Sequence, residues 1–162
     1  MAKSIKLKNN TYWDSSGIVH EKKTLKSIID NLKNYIYCGI SDEIVTRTNY
    51  DTVTNWREYN NIGNSFTISN GQILIGNDVN KIKISVKIRA YNSRNEMLYS
   101  LITKNSNGVS DSWVVDNING YKTVYNQLIL DVNSGDKISI NLYGESINIQ
   151  AHSTTIIVEK LI

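Results

Sequence analysis

Residues able to carry acid–base or nucleophilic chemistry are few in this chain and stand apart. The two histidines, His20 and His152, are far apart in sequence, and neither neighbours the single cysteine, Cys38, in a nucleophile pattern. Cys38 sits between Tyr37 and Gly39 at the start of a strand and reads as a small buried hydrophobe. Asp111, Asp116, Glu96 and Glu145 are the carboxylates that could pair as a glycosidase requires, but they lie in turns, where acids are common for hydration alone. No glycine-rich phosphate loop, zinc spacing or calcium loop is present. The sequence therefore predicts no catalytic residue, no metal site and no cofactor.

Recognition chemistry is better supplied. Ten tyrosines and three tryptophans stand against one phenylalanine, a skew towards aromatic rings with a polar handle, which suits interfaces and sugar-stacking surfaces. Trp113, beside Asp111 and Ser112, is the first candidate ligand contact. Trp56, with Arg57 and Tyr59, is the second. The competing reading for each is a rim or core aromatic. Lys81, Lys83, Lys87 and Arg89 share one face of one strand and read either as a grip for an anionic polymer or as solvated lysines guarding a sheet edge. No aromatics are interleaved with them in sequence, so nucleic acid is not an expected partner. Net charge is +3, with a pI near 8.9.

These residues need elements to position them. Ser4 to Val19 form a thin β unit, with Tyr12 and Trp13 in its middle and a turn at Asp14–Gly17. So few apolar groups cannot bury a core alone, so the segment must dock, on copies of itself or on a different protein. Over Thr24–Ile36 the period changes: Leu25, Ile28, Ile29, Leu32, Tyr35 and Ile36 fall on one helical stripe behind a Thr24 cap. Such a short helix needs association, and its two heptad registers leave two strands or three open; packing of a lone helix on the β domain is the alternative.

Everything from Tyr37 onward reads as β. Asn70-Gly71, Asn107-Gly108 and Asn119-Gly120 carry the chemistry of tight hairpin turns. In Lys81–Tyr91 the residues Ile82, Ile84, Val86, Ile88 and Ala90 face in. LILDVNSGDKISINLY, from Leu128 to Tyr143, alternates on both sides of Asn133-Ser134-Gly135 and reads as an antiparallel hairpin. The last strand, Thr155–Ile162, is apolar on both faces, which places it centrally in a sheet or in an oligomer contact through Ile156, Val158 and Ile162. The chain contains no proline. The predicted fold class is all-β, with segments 1–20 (attachment), 21–36 (short helix or stem) and 37–162 (head). No apolar run is long enough to cross a bilayer, and the first residues lead into a strand, not a signal-peptide core, so folding in a cytoplasm is expected.

The order GQILIG, KIKISVKIRAY, SLITKN, LILDVNSGDKISINLY, TTIIVEKLI resembles the ten-stranded antiparallel jelly-roll heads of the tumour necrosis factor and complement-head superfamily, as found in bacteriophage virion proteins. The shared marks are the Ile/Val-alternating strand, Lys104-Asn105 ending the next, Gly135-Asp136 between two late strands, and Thr154 or Thr155 leading to Val158-Glu159. SIKLKNNTYWDSSGIVHEKKTLKSII is similar to the N-terminal segments of phage tail and fibre proteins. There is no collagen-like stalk and no long coiled coil. The resemblance implies a homotrimer whose heads bind and are not enzymes. The expected protein is a virion component of tail-tip, fibre or head-fibre type, assembled in the host cytoplasm. Residues 1–36 would hold it to another virion protein, and the head would meet a host-surface glycan or a protein. A purely structural decoration protein and, more remotely, a cell-wall polysaccharide hydrolase are the alternatives.

Overall fold

A computed structural model describes residues 5–6, 11–13, 19–21, 34–47 and 49–161. Two compact units divide the chain, Met1–Leu32 and Lys33–Ile162. In the first, β1 (Ile5–Lys6), β2 (Thr11–Trp13) and β3 (Val19–Glu21) make an antiparallel sheet in that order, with Ile5 opposite Trp13 and Tyr12 opposite His20. Leu25, Ile28, Ile29 and Leu32 of the expected helix lie outside the described residues. Tyr35 and Ile36, read as its last turn, instead open a strand, and Ile36 is fully buried. Once paired on both sides, this stretch gains sheet hydrogen bonds and core contacts that its helical periodicity did not anticipate.

The second unit runs β4 (Tyr35–Ile40), β5 (Ile44–Val45), β6 (Asp51–Thr52), β7 (Trp56–Ile62), β8 (Phe66–Ser69), β9 (Gln72–Ile75) and β10 (Lys81–Lys104). Then follow β11 (Asn107–Gly108), a 3₁₀ turn (Ser110–Ser112), β12 (Val114–Asp131), β13 (Lys137–Tyr143), β14 (Asn148–Ile149) and β15 (Thr155–Lys160). Two of these strands serve both layers. The first half of β10 lies between β15 and the second half of β12, so the first sheet runs β7-β4-β15-β10-β12. The second half of β10 lies between β13 and the first half of β12, so the second sheet runs β8-β9-β13-β10-β12. With β10 and β12 each counted in both layers, these are the ten strands of a jelly-roll sandwich.

The layers close on a core of branched aliphatics, including Ile36, Ile84, Ile88, Leu98, Ile102 and Ile138, with Phe66 beside them. Cys38 is fully buried in it, and its thiol is pushed up to about 12, by burial first and by the Glu58 charge second. The thiol stays protonated and inert, as a small buried hydrophobe should.

The strands β12 and β13 correct the expected hairpin. They do not pair: β12 closes the first sheet and β13 pairs with β10, β9 and β6 in the second. Asn133–Asp136 is an arch from one layer to the other, and both flanks alternate because both face the same core. The turn dipeptides divide similarly. Asn70 (φ 49°) and Gly71 (φ 69°) make the expected hairpin between β8 and β9. The turn before β11 falls two residues early, on Asn105 (φ 53°) and Ser106 (φ 67°). Gly120 (φ 70°) lies inside β12, opposite Asn92, where β10 bulges and both strands pass between layers. A left-handed residue bends the strand there without ending it.

The arch is clamped by the motif pair seen in the sequence. Asp136 is nearly buried and accepts hydrogen bonds from the Asn133 N–H (2.9 Å) and Asn105 Nδ2 (2.7 Å), with Lys104 Nζ at 3.9 Å. Asn105 in turn accepts from the Lys137 N–H at 2.9 Å. Burial is the largest influence on this carboxyl and opposes its charge, but the Asn133 and Asn105 bonds and the Lys104 charge together hold its pKa below the usual aspartate value. Gly135 (φ 85°) donates to the Ile75 carbonyl, and a Cβ there would meet no atom within 4 Å. A substitution would be strained by the backbone alone.

Two outcomes follow. Asp136→Ala should cost about 2 kcal/mol, the scale of hydrogen bonds to a charged group. A lowered pKa contributes stability above the unfolded value and loses it as pH falls through the folded one. The gap between wild type and variant should therefore shrink below about pH 4 in denaturant titrations. The last strand gives the second. β15 is central in the first sheet, between β4 and β10, and Ile156 and Val158 point into the chain's own core at 0% exposure. They are thus not surface contacts, because the parity that faces outward is Thr155, Ile157 and Glu159. A buried carboxylate costs several kcal/mol against a total of about 5–15. Ile156→Asp should unfold the head, while Ile157→Asp, on the outward face, should keep its circular dichroism.

Two aromatic surfaces as the candidate functional site

Every tyrosine of the second unit is exposed or half-buried, and none is in the core. The alternation of the strands sorts them onto the outward faces of the two sheets.

On the first sheet, transverse register aligns Tyr37, Ile157, Ser85 and Gln127 in one row, and Gly39, Thr155, Lys87 and Tyr125 in the next. Tyr59 folds over Gly39, where no Cβ stands in its way, meets Tyr37 edge-on at 5.3 Å, and reaches His152 Nδ1 with its hydroxyl at 3.2 Å. At the far edge, β12 presents Tyr121 (61% exposed), Tyr125 (69%) and Ile129 (59%) in one column. Tyr91 stacks on Tyr121 at 4.6 Å, and the Arg89 guanidinium lies over the same ring at 5.2 Å.

The basic strand belongs to this face, and its position corrects the reading of lysines guarding an edge. β10 is interior to the sheet. Lys81 pairs with Asp131 (3.3 Å) and Lys83 with Glu159 (3.7 Å), both from neighbouring strands. Aromatics do stand beside these charges, contributed across the sheet by β12, which spacing along one strand could not reveal.

The second surface gathers Trp113 with three tyrosines from separate segments. Tyr99 and Tyr143 are directly opposed across β10 and β13, with ring centroids 5.3 Å apart. Tyr50, just before β6, packs on Tyr143 at 5.2 Å and meets Trp113 edge-to-face at 5.7 Å and 78°. Trp113 is 46% exposed and Tyr50 48%. The 3₁₀ turn that delivers Trp113 is riveted by Ser112, which is fully buried. Its Oγ accepts from the Ile102 N–H (3.0 Å) and lies 2.7 Å from the Val109 carbonyl, while Asn126 Nδ2 donates to the Ser112 carbonyl at 2.7 Å.

Of the residues singled out from sequence, Trp113 lies on a built surface, with Asp111 exposed two residues before it. Trp56 does not. It is 7% exposed, paired with Ile40 and turned inward, and its indole N–H has no acceptor among the described residues. Arg57 and Tyr59 remain on the surface of the first sheet. Tyr12 and Trp13 lie in β2 of the other unit, and Ile162 is outside the described residues. Tyr50, Tyr99 and Tyr143 were missed. The available signal was parity, since Tyr99 and Tyr143 alternate with the core residues Leu98 and Leu142. The carboxylates do not gather: Asp116 is committed to Lys122 (2.5 Å), whose hydrogen bond lowers its pKa, and among the described residues no three His, Cys, Asp or Glu side chains come together as metal ligands.

The architecture is that of a jelly-roll head carrying two aromatic faces. No protein-family model matches the sequence, and no curated protein matches it significantly. Among solved structures the chain is similar to murine APRIL crystallised at pH 8.5, with a TM-score of 0.66 at 10% identity, covering 80% of this chain and 99% of that one. It is also similar to the Eiger TNF from S. frugiperda, with a TM-score of 0.59 at 11% identity, covering 80% and 93%. At these identities the fold is what is shared: the head is a TNF-like jelly roll.

The contrast between the two tryptophans is measurable. Trp56→Ala should cost about 3–5 kcal/mol as a core truncation. Trp113→Ala should stay within about 1 kcal/mol of wild type in urea melts, as surface changes do.

Proposed function

We propose that this chain is a trimeric bacteriophage virion component that docks through its N-terminal unit and presents the jelly-roll head for binding a host surface or a protein. The head recognises; it does not turn over substrate. The observation that carries the assembly is the column Tyr121, Tyr125 and Ile129, each more than half exposed on the edge strand of the first sheet. Beside it the same face continues through Tyr91, Ile157, Tyr37 and Tyr59, a larger aromatic surface than solvent alone favours. A column at an edge and a face beside it favour a contact in which the edge of one copy covers the face of the next. Such a heterologous contact makes a ring where its rotation closes. The number three and the phage setting rest on the sequence resemblance of head and N-terminal segment.

Light scattering of the purified chain tests the assembly. A trimer is expected at micromolar concentration, with Tyr125→Glu combined with Ile129→Glu giving folded monomers; a monomeric wild type would sink the reading. The attachment role is tested by deleting residues 1–32, which spares Tyr35 and the buried Ile36. The truncated head should fold yet fail to enter virions, and normal incorporation would refute the division of labour.

A further inference from the structure

We infer that the corner formed by Trp113 and Tyr50 on the second sheet is a binding site for a neutral glycan. This rests on the reading of the chain as a binding head and names the chemistry of its ligand.

Four observations carry it. The two rings stand nearly perpendicular, at 78°, and each leaves close to half its surface in solvent, so a flat ligand can lie on one ring with its edge against the other. Axial C–H groups of a pyranose meet such a ring face, while its hydroxyls need donors and acceptors at the rim. The rim has them: the phenolic hydroxyls, the indole N–H, and the Thr52–Asn141 hydrogen bond (2.9 Å) between β6 and β13, with Asn141 two residues before Tyr143.

The corner is also preformed. Tyr50 is held against Tyr143, and Trp113 follows the riveted Ser112, so little side-chain freedom is left to lose on binding.

Charge points to a neutral ligand. The four rings carry none, and the basic column of Lys83, Lys87 and Arg89 lies on the outward face of the other sheet. An anionic polymer or nucleic acid would be drawn there instead.

Area points to a small one. Trp113 and Tyr50, with the exposed Val115 and Met97 beside Tyr99, offer on the order of 400 Å², against the roughly 800 Å² per partner of a stable protein interface. That suits one or two sugar rings. The corner faces away from the surface proposed for assembly, so it stays open in an assembled ring.

The test uses the full chain on an array of neutral oligosaccharides of glucose, galactose, mannose and N-acetylglucosamine, printed beside teichoic acid and polygalacturonate. Saturable binding to at least one neutral oligosaccharide is expected, unchanged between low and high salt. It should weaken roughly tenfold or more in Trp113→Ala and in Tyr50→Ala. Melting temperature and oligomeric mass should not move, and Tyr125→Ala, on the other sheet, should bind as wild type if it still assembles. Binding only to the anionic polymers, or to nothing printed, overturns the proposal. So does a fall in oligomeric mass on Trp113→Ala, which would make the corner a subunit contact. If neutral glycans bind and both variants bind equally well, the head still recognises sugar and only this site is wrong. Failure to form an oligomer or enter virions, measured separately, counts against the head reading itself.

Discussion

The constraint on which the head depends is that β10 runs unbroken for 24 residues while belonging to two sheets, with β12 beside it through most of that length. Its first half is paired with β15 and β12, and its second with β13 and β12. Between them the register with β12 shifts at Asn92–Glu96. The bulge adds an even number of residues, so inward parity survives the bend: Ile88 and Ala90 before it and Leu98 and Ile102 after it all reach the core. Asn92 occupies the bend, 5% exposed, donating to the carbonyls of Glu145 and Ser146 and accepting from the Arg94 N–H. A backbone turned away from its ladder needs such partners, since unpaired buried polar groups cost as much as lost hydrogen bonds. Because one strand spans both layers, the relative placement of the two aromatic faces is fixed by covalent continuity as well as by packing.

A second tie acts at the other end of the same strand. Lys104 ends β10 and Asn105 follows it, while Gly135 and Asp136 immediately precede β13, with Asp136 31 residues beyond Asn105. In sequence these are two separate dipeptides. In the fold the Asn105 amide and the Asp136 carboxylate satisfy each other and the nearby turn amides, and the Asp136 carbonyl accepts from the Ile75 N–H. The arch between sheets is thereby fixed to β9, β10 and β13 at once. A near-buried carboxylate is tolerable here only because its lone pairs are filled, and its lowered pKa is the signature of that filling.

The all-β class and the inward residues of β10 were legible because burial at period two marks which side of a strand meets the core, whereas the jelly-roll order rested on the resemblance. Alternation says nothing about which strand lies beside which. Leu128–Val132 and Ile138–Leu142 looked like hairpin partners and proved to be opposite walls. Ile156 and Val158 looked like contacts for another copy because both parities of that strand are apolar; only neighbours on each side could show that one parity is core and the other surface. Trp56 and Trp113 each sit in polar stretches of similar composition, yet pairing with Ile40 turns one inward and a 3₁₀ turn carries the other out. The aromatic corner was the least legible of all, since Tyr50, Tyr99, Trp113 and Tyr143 come from four segments joined only by tertiary pairing.

The outward use of tyrosine has a physical reason that joins fold to function. A head that must fold before it meets its partners has to show the same faces to water first. Leucine or isoleucine at Tyr121 and Tyr125 would make β12, the edge strand of the first sheet, into a template for indiscriminate pairing. Tyrosine offers comparable area with a hydroxyl that keeps a place in water until the face is covered. Ile129 is the exception in that column, and it stands in the row of Lys83 and Glu159, whose ion pair supplies the hydration that its own side chain lacks. On the proposed division, with assembly on the first sheet and recognition on the second, each face could change its residues without disturbing the other, because the buried core between them contains no tyrosine.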